Sequence, residues 1–126
     1  MSQKKKNNRK NNNTNNNIGD IEPERANLEI AYIELGNILP KINSSIDFEN
    51  HCYWRIANDN ACYRRWDTVV KPPFYKNASR ELLYHSIKNL CKMVSSYSET
   101  NRLNSLSLRY RQEERNRLNK LNKSDD

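Results

Sequence analysis

Glycine is nearly missing, with two residues in 126. A chain this poor in glycine has no Gly-rich turn with which to cradle a phosphate or build an oxyanion hole. Long apolar runs are missing too. None approaches the roughly eighteen residues of a membrane span, so no membrane partner is expected. The basic start of the chain runs into asparagines where a secretory signal needs an apolar segment, and an intracellular location follows as the expectation. Cysteine is scarce and odd in number, three in all, which suits reduced thiols rather than a disulfide framework. There is no Cys-x-x-Cys and no closely spaced pair of histidines. His51, Cys52, Cys62, His85 and Cys91 have the chemistry of zinc ligands without the spacing, so neither a metal nor a cofactor is expected. Strand signals are missing as well. Only "DTVV" at 67–70 gathers β-branched residues, too short and solitary for a sheet.

What the chain does have is asparagine and positive charge, both unevenly placed. Residues 1–17 hold a single apolar side chain, Met1, together with Lys4, Lys5, Lys6, Arg9 and Lys10. Such a segment lacks the apolar area to offset the entropy of ordering and reads as a disordered basic tail. It carries five of the net seven positive charges, leaving 17 basic against 15 acidic residues elsewhere. Only the tail therefore has the electrostatic footprint of a nucleic-acid binder. The abundance of Asn, Lys and Ile also suits a genome rich in A and T.

From residue 18 on, helical periodicity dominates. Pro23 suits a first helical turn, with Glu22 and Glu24 complementing the positive end. Leu28, Ala31, Tyr32, Leu35, Ile38 and Leu39 then form a stripe that Ile30 and Ile33 widen, and Pro40 is expected to stop it. Gly36 inside this run costs about 1 kcal/mol relative to Ala, or marks an earlier stop. Asp47 is the expected cap of a second helix over 49–60, with a continuation to Trp66 left open. Asn77 or Ser79 caps a third, whose face is Leu83, Ile87, Leu90 and Val94, with Cys91 on the apolar side. Ser98 opens a fourth, packed through Leu103, Leu106 and Tyr110. Glu114 interrupts its face, and its end over 112–126, with Leu118 and Leu121, is solvated or frayed. The expected fold is all-α, a small bundle of about four helices forming a single domain over 18–126.

Twenty residues stand out, "HCYWRIANDNACYRRWDTVV" at 51–70, with both tryptophans, two cysteines and a histidine. At helical spacing Cys52, Ile56, Tyr63, Trp66 and Val70 share a core face, while Trp54, Arg55, Arg65 and Asp67 lie on the other side. Arg55 and Asp59, four apart, are placed to pair on the surface. A catalytic set would take His51 as base, Asp59 as its orienting carboxylate and Cys52 or Cys62 as nucleophile. On one helix, though, His51 and Asp59 stand about 12 Å apart along the axis. Burial of large aromatic side chains explains the stretch more simply, and no catalytic residue is assigned. The polar run Asn58-Asp59-Asn60 stays unexplained.

Basic and aromatic residues interleave in "CYRRWD" and "VKPPFYKN", where Tyr63, Trp66, Phe74 and Tyr75 can stack on bases. The expected function is a small, non-enzymatic binding protein. Lys4, Lys5, Lys6, Arg9 and Lys10 would attract nucleic acid without sequence preference, and Arg64, Arg65, Lys71 and Lys76 would position it. The alternative is a helical protein–protein module that joins a partner, or a second copy of itself, through the last helix.

Overall fold

The computed structural model describes residues 17–124, so the basic tail with Lys4, Lys5, Lys6, Arg9 and Lys10 lies outside the described residues. The fold is an all-α bundle, and among the described residues there is no strand. Four long helices, α1 (Asn17–Ile42), α2 (Asn50–Cys62), α4 (Arg80–Ser95) and α5 (Tyr97–Ser124), are joined by a 3₁₀ turn (Trp66–Thr68) and a single-turn α3 (Phe74–Asn77). The short α2 is central and packs against α1, α4 and α5. Its Tyr53, Ile56 and Ala57 meet Tyr32 and Leu39 of α1, Leu83, Leu90 and Met93 of α4 and Leu103 of α5 in one core.

The prolines do not bound α1 as expected. The helix starts before Pro23 and continues two residues past Pro40. Each proline removes only one intrahelical bond, and the Asn43 amide closes the last turn on the Leu39 carbonyl at 2.9 Å. Fully buried Leu39 and nearly buried Tyr32 hold this face against the bundle, and that packing outweighs the missing bonds. Ile30 and Ile38 stay outside the core, at 53% and 46% exposure. Gly36 has a specific role. The Trp54 indole lies against its backbone, and a Cβ there would overlap the ring. Trp54 Nε1 meanwhile donates to the Tyr32 carbonyl at 3.0 Å. Trp54, expected on the solvent side, is therefore half-buried against α1.

α2 stops earlier than its apolar spacing suggests. Tyr63 turns left-handed at φ 57° and ψ 30°, its amide bonding the Asp59 carbonyl, and the Arg64 amide reaches the same oxygen at 3.2 Å. Tyr63 thus leaves the expected core face and is 77% exposed. At the other end Glu49 occupies the cap position without a side-chain cap bond, where Asp47 was expected. α4 begins as expected: Ser79 Oγ accepts the Leu82 amide at 3.1 Å, and Leu83, Ile87 and Leu90 are buried. Met93 takes the fourth core place, Val94 is half-buried, and Cys91, expected in the core, is exposed. Ser96, not Ser98, starts α5, its Oγ accepting the Glu99 amide at 3.3 Å.

The buried face of α5 is also not the expected leucine stripe. Thr100, Leu103, Ser107 and Glu114 face inward, with Leu106 and Tyr110 only half-buried and 115–123 exposed. Each polar residue on that face has its own partner: Ser107 donates to Asp59 of α2, Thr100 Oγ1 to the Met93 and Ser96 carbonyls at the end of α4, and Glu114 pairs with Arg64 and Arg117.

Gly36→Ala gives a direct check. Overpacking costs about 1–3 kcal/mol, and the clash here is with a rigid ring, so it exceeds the roughly 1 kcal/mol that Ala regains over Gly in a helix. The variant should unfold at lower urea concentration with red-shifted tryptophan emission. A variant more stable than the parent contradicts the packing described.

Candidate functional site

Consecutive helical positions project about 100° apart, so three polar neighbours cannot share one face. Asn58, Asp59 and Asn60 are nevertheless all buried, at 2%, 0% and 8% exposure. Each therefore meets a different neighbour. Asn58 Nδ2 donates to Tyr32 Oη of α1 at 2.9 Å, and Ser86 Oγ of α4 donates to Asn58 Oδ1 at 2.7 Å. Asn60 Nδ2 donates to the Leu103 carbonyl of α5 at 2.9 Å. α4 answers with Asn89, whose Nδ2 donates to the Ala57 carbonyl at 3.0 Å.

Asp59 does most. Arg111 of α5 grips it with Nε and Nη2 at 2.7 and 3.2 Å. Ser107 Oγ donates to Oδ2 at 2.6 Å, and the Trp66 amide to Oδ1 at 2.9 Å. The surface pair expected between Arg55 and Asp59 does not form. Arg55 instead donates through Nη1 to Ser107 Oγ at 2.7 Å and through Nη2 to Asn104 Oδ1 at 2.9 Å. Burial, then the nearby Arg111 charge, lowers the Arg55 pKa.

This polar turn sets the walls of a cleft of about 330 Å³, within the usual size of a ligand pocket. α1 supplies Tyr32 and Ile33. α2 supplies His51, Trp54, Arg55 and Asn58, and the chain after α2 supplies Trp66, Pro73, Phe74 and Tyr75. The rings are ordered around Tyr32. Trp54, Phe74 and Tyr75 lie 5.7, 5.8 and 6.0 Å from it at interplanar angles of 13°, 20° and 24°. Trp66 meets Phe74 edge-on at 5.6 Å. Tyr32 is held neutral, since burial pushes its phenol well above the ordinary value. Among the described residues no carboxylate lines the cleft.

The residues singled out from sequence separate into two sets. Trp66, Phe74 and Tyr75 come together in the cleft, and Lys76 sits over the Tyr75 ring at 5.4 Å while pairing with Glu29 at 3.7 Å. Lys71 is exposed in the same segment. Arg65 is turned onto Asp67 at 2.7 Å, and Arg64 reaches Glu114 on α5 at 3.5 Å. Tyr32, Trp54, Arg55 and Asn58 were not singled out as binding residues. A glycine buried in mid-helix and an isolated polar triplet were the only signals. His51 and Asp59 do not meet: His51 is exposed and lies 3.7 Å from Glu49, while Asp59 is saturated by other groups. Burial, with Asp59 adding to it, raises the Cys62 pKa to about 11, so it is a thiol rather than a thiolate at neutral pH. Among the described residues no three His, Cys, Asp or Glu side chains gather as a metal site. Compared with known protein families, curated proteins and solved structures, the chain has no match.

Glu114 adds a pH dependence. Arg117 hydrogen-bonds it and, with Arg64, holds its carboxyl below the ordinary 4.5 against the opposing effect of burial. A depressed folded pKa contributes stability that is present above the unfolded value and lost as pH falls through the folded one. In urea titrations at pH 7, 5 and 3, the stability gap between the parent and Glu114→Gln should therefore narrow as the solution becomes acidic. A gap that is constant with pH contradicts this.

Proposed function

We propose that the protein binds single-stranded nucleic acid without catalysing a reaction, holding a base in the aromatic cleft. The observation that carries this reading is the ordered set of rings around Tyr32, in a cleft that no carboxylate lines among the described residues. Every base offers a π-face, and stacking on an aromatic side chain is worth about 1–3 kcal/mol per base. Lys71 is exposed in the segment whose Pro73, Phe74 and Tyr75 line the cleft, and would meet the phosphates of a bound strand. Lys76, Arg64 and Arg65 contribute less, because each already pairs with a carboxylate, of Glu29, Glu114 and Asp67 respectively. Lys4, Lys5, Lys6, Arg9 and Lys10 add attraction that depends on salt and not on sequence.

A second reading, a protein–protein module, is favoured by exposed apolar residues on two helices, Ile30, Ile38 and Ile42 of α1 and Leu108 and Leu118 of α5. Association through these would survive high salt, whereas a phosphate contact would not.

Fluorescence anisotropy with a labelled single-stranded oligonucleotide of mixed sequence distinguishes the two. Affinity should fall steeply with salt, and removing residues 2–17 should flatten the slope. Tyr75→Ala should weaken binding by about tenfold, the equivalent of one lost stack. No binding at low salt, or binding indifferent to Tyr75, overturns the reading.

A further inference from the structure

Arg55 is a cation without a carboxylate of its own. Its neighbours Arg111 and Asp59 form a closed pair, both carboxylate oxygens being taken by Arg111. Arg55 is left with two neutral acceptors, Ser107 and Asn104, one bond to each. A guanidinium has five N–H donors, so three have no acceptor among the described residues. The trio of Arg55, Arg111 and Asp59 thus carries one uncompensated positive charge. It sits in a half-buried position, where a charge interacts more strongly than in open water.

The direction of Arg55 is informative. It lines the cleft beside Trp54 and Asn58, yet its terminal nitrogens reach to α5 at residues 104 and 107. The rings come from α1, α2 and the segment after α2, and Arg55 is the cation that shares the wall with them. A ligand that fills the cleft and meets both has a planar ring at one end and an anion at the other. Neither an aromatic cage for a methylated ammonium nor a site for a neutral apolar ring accounts for this pairing. The first is opposed by a guanidinium in the same wall as the rings, which repels a cation, and the second leaves the guanidinium unused.

We infer that the cleft selects a nucleobase that carries its phosphate, with Arg55 recognising the phosphate and the half-buried Trp54, Trp66 and Tyr75 rings taking the base. This rests on the reading of the cleft as a base-stacking site. A bidentate guanidinium–phosphate contact is stronger and more directional than a contact with a neutral oxygen. The phosphate can belong to a free mononucleotide or to a strand.

Quenching of tryptophan emission in the full chain tests this, with adenosine, adenosine monophosphate and a diadenosine dinucleotide titrated at low salt. The monophosphate should bind about tenfold tighter than the nucleoside. Arg55→Gln should bring the affinities of adenosine and adenosine monophosphate together. Arg55→Lys, which keeps the charge, should retain part of the difference. Equal affinities in the parent protein overturn the role of Arg55 and leave the base-stacking cleft standing. No quenching by any of the three, with oligonucleotide binding still present, overturns both. A dinucleotide that binds tighter than the monophosphate assigns the ligand to a strand, and one that binds equally assigns it to a free nucleotide; the proposal holds in either case. Because the parent comparison needs no variant, a substitution that unfolds the protein does not remove the test.

Discussion

The fold depends on a constraint set by three neighbouring residues. Asn58, Asp59 and Asn60 point in three directions from the central helix, and all are out of water. A buried polar group left unpaired costs about 1–3 kcal/mol, and more if charged. At these three positions each neighbour answers the polar group it faces: Tyr32 and Ser86 for Asn58, Ser107 and Arg111 for Asp59, the Leu103 carbonyl for Asn60. The network specifies which helix lies where, and the apolar contacts supply much of the energy that keeps it there.

The same network shapes the cleft. The Asp59 carbonyl ends α2 by accepting the Tyr63 and Arg64 amides, and its carboxylate then fixes the amide of Trp66. Asn58 holds the hydroxyl of Tyr32, the ring around which three others stack. Opposite walls are thus referred to adjacent residues of one helix. Gly36 completes the arrangement by letting the Trp54 indole lie against α1. Arg55, kept from Asp59 by Arg111, is left as the charge beside the rings.

The helical class, the cap at Ser79 and the core face Leu83, Ile87 and Leu90 of α4 were legible because they follow apolar periodicity and local side-chain chemistry. The inward face of α5 was not. Thr100, Ser107 and Glu114 look like solvent residues until their partners are known, the Met93 carbonyl, Asp59, and Arg64 with Arg117. Cys91 and Tyr63 were misplaced for the converse reason, since both are apolar enough to suggest a core and neither has a partner surface there. In the cleft, Trp66, Phe74 and Tyr75 were visible as a cluster along the chain. Tyr32 and Trp54 join them only through tertiary packing, and Arg55 was assigned to Asp59 by its spacing because Arg111, 52 residues further on than Asp59, competes for the same carboxylate.

Amide hydrogen exchange on two single variants tests this division of labour most directly. In Asp59→Asn, Arg111 loses its counter-charge, so protection should fall in the first half of α5 and at the 3₁₀ turn, while α1 and α4 stay protected. In Asn58→Ala the pattern should reverse, with α1 and α4 loosening around Tyr32 and Ser86 and α5 keeping its protection. If both variants lose protection evenly over all four long helices, or neither loses any, the polar turn is not what assigns each helix its place.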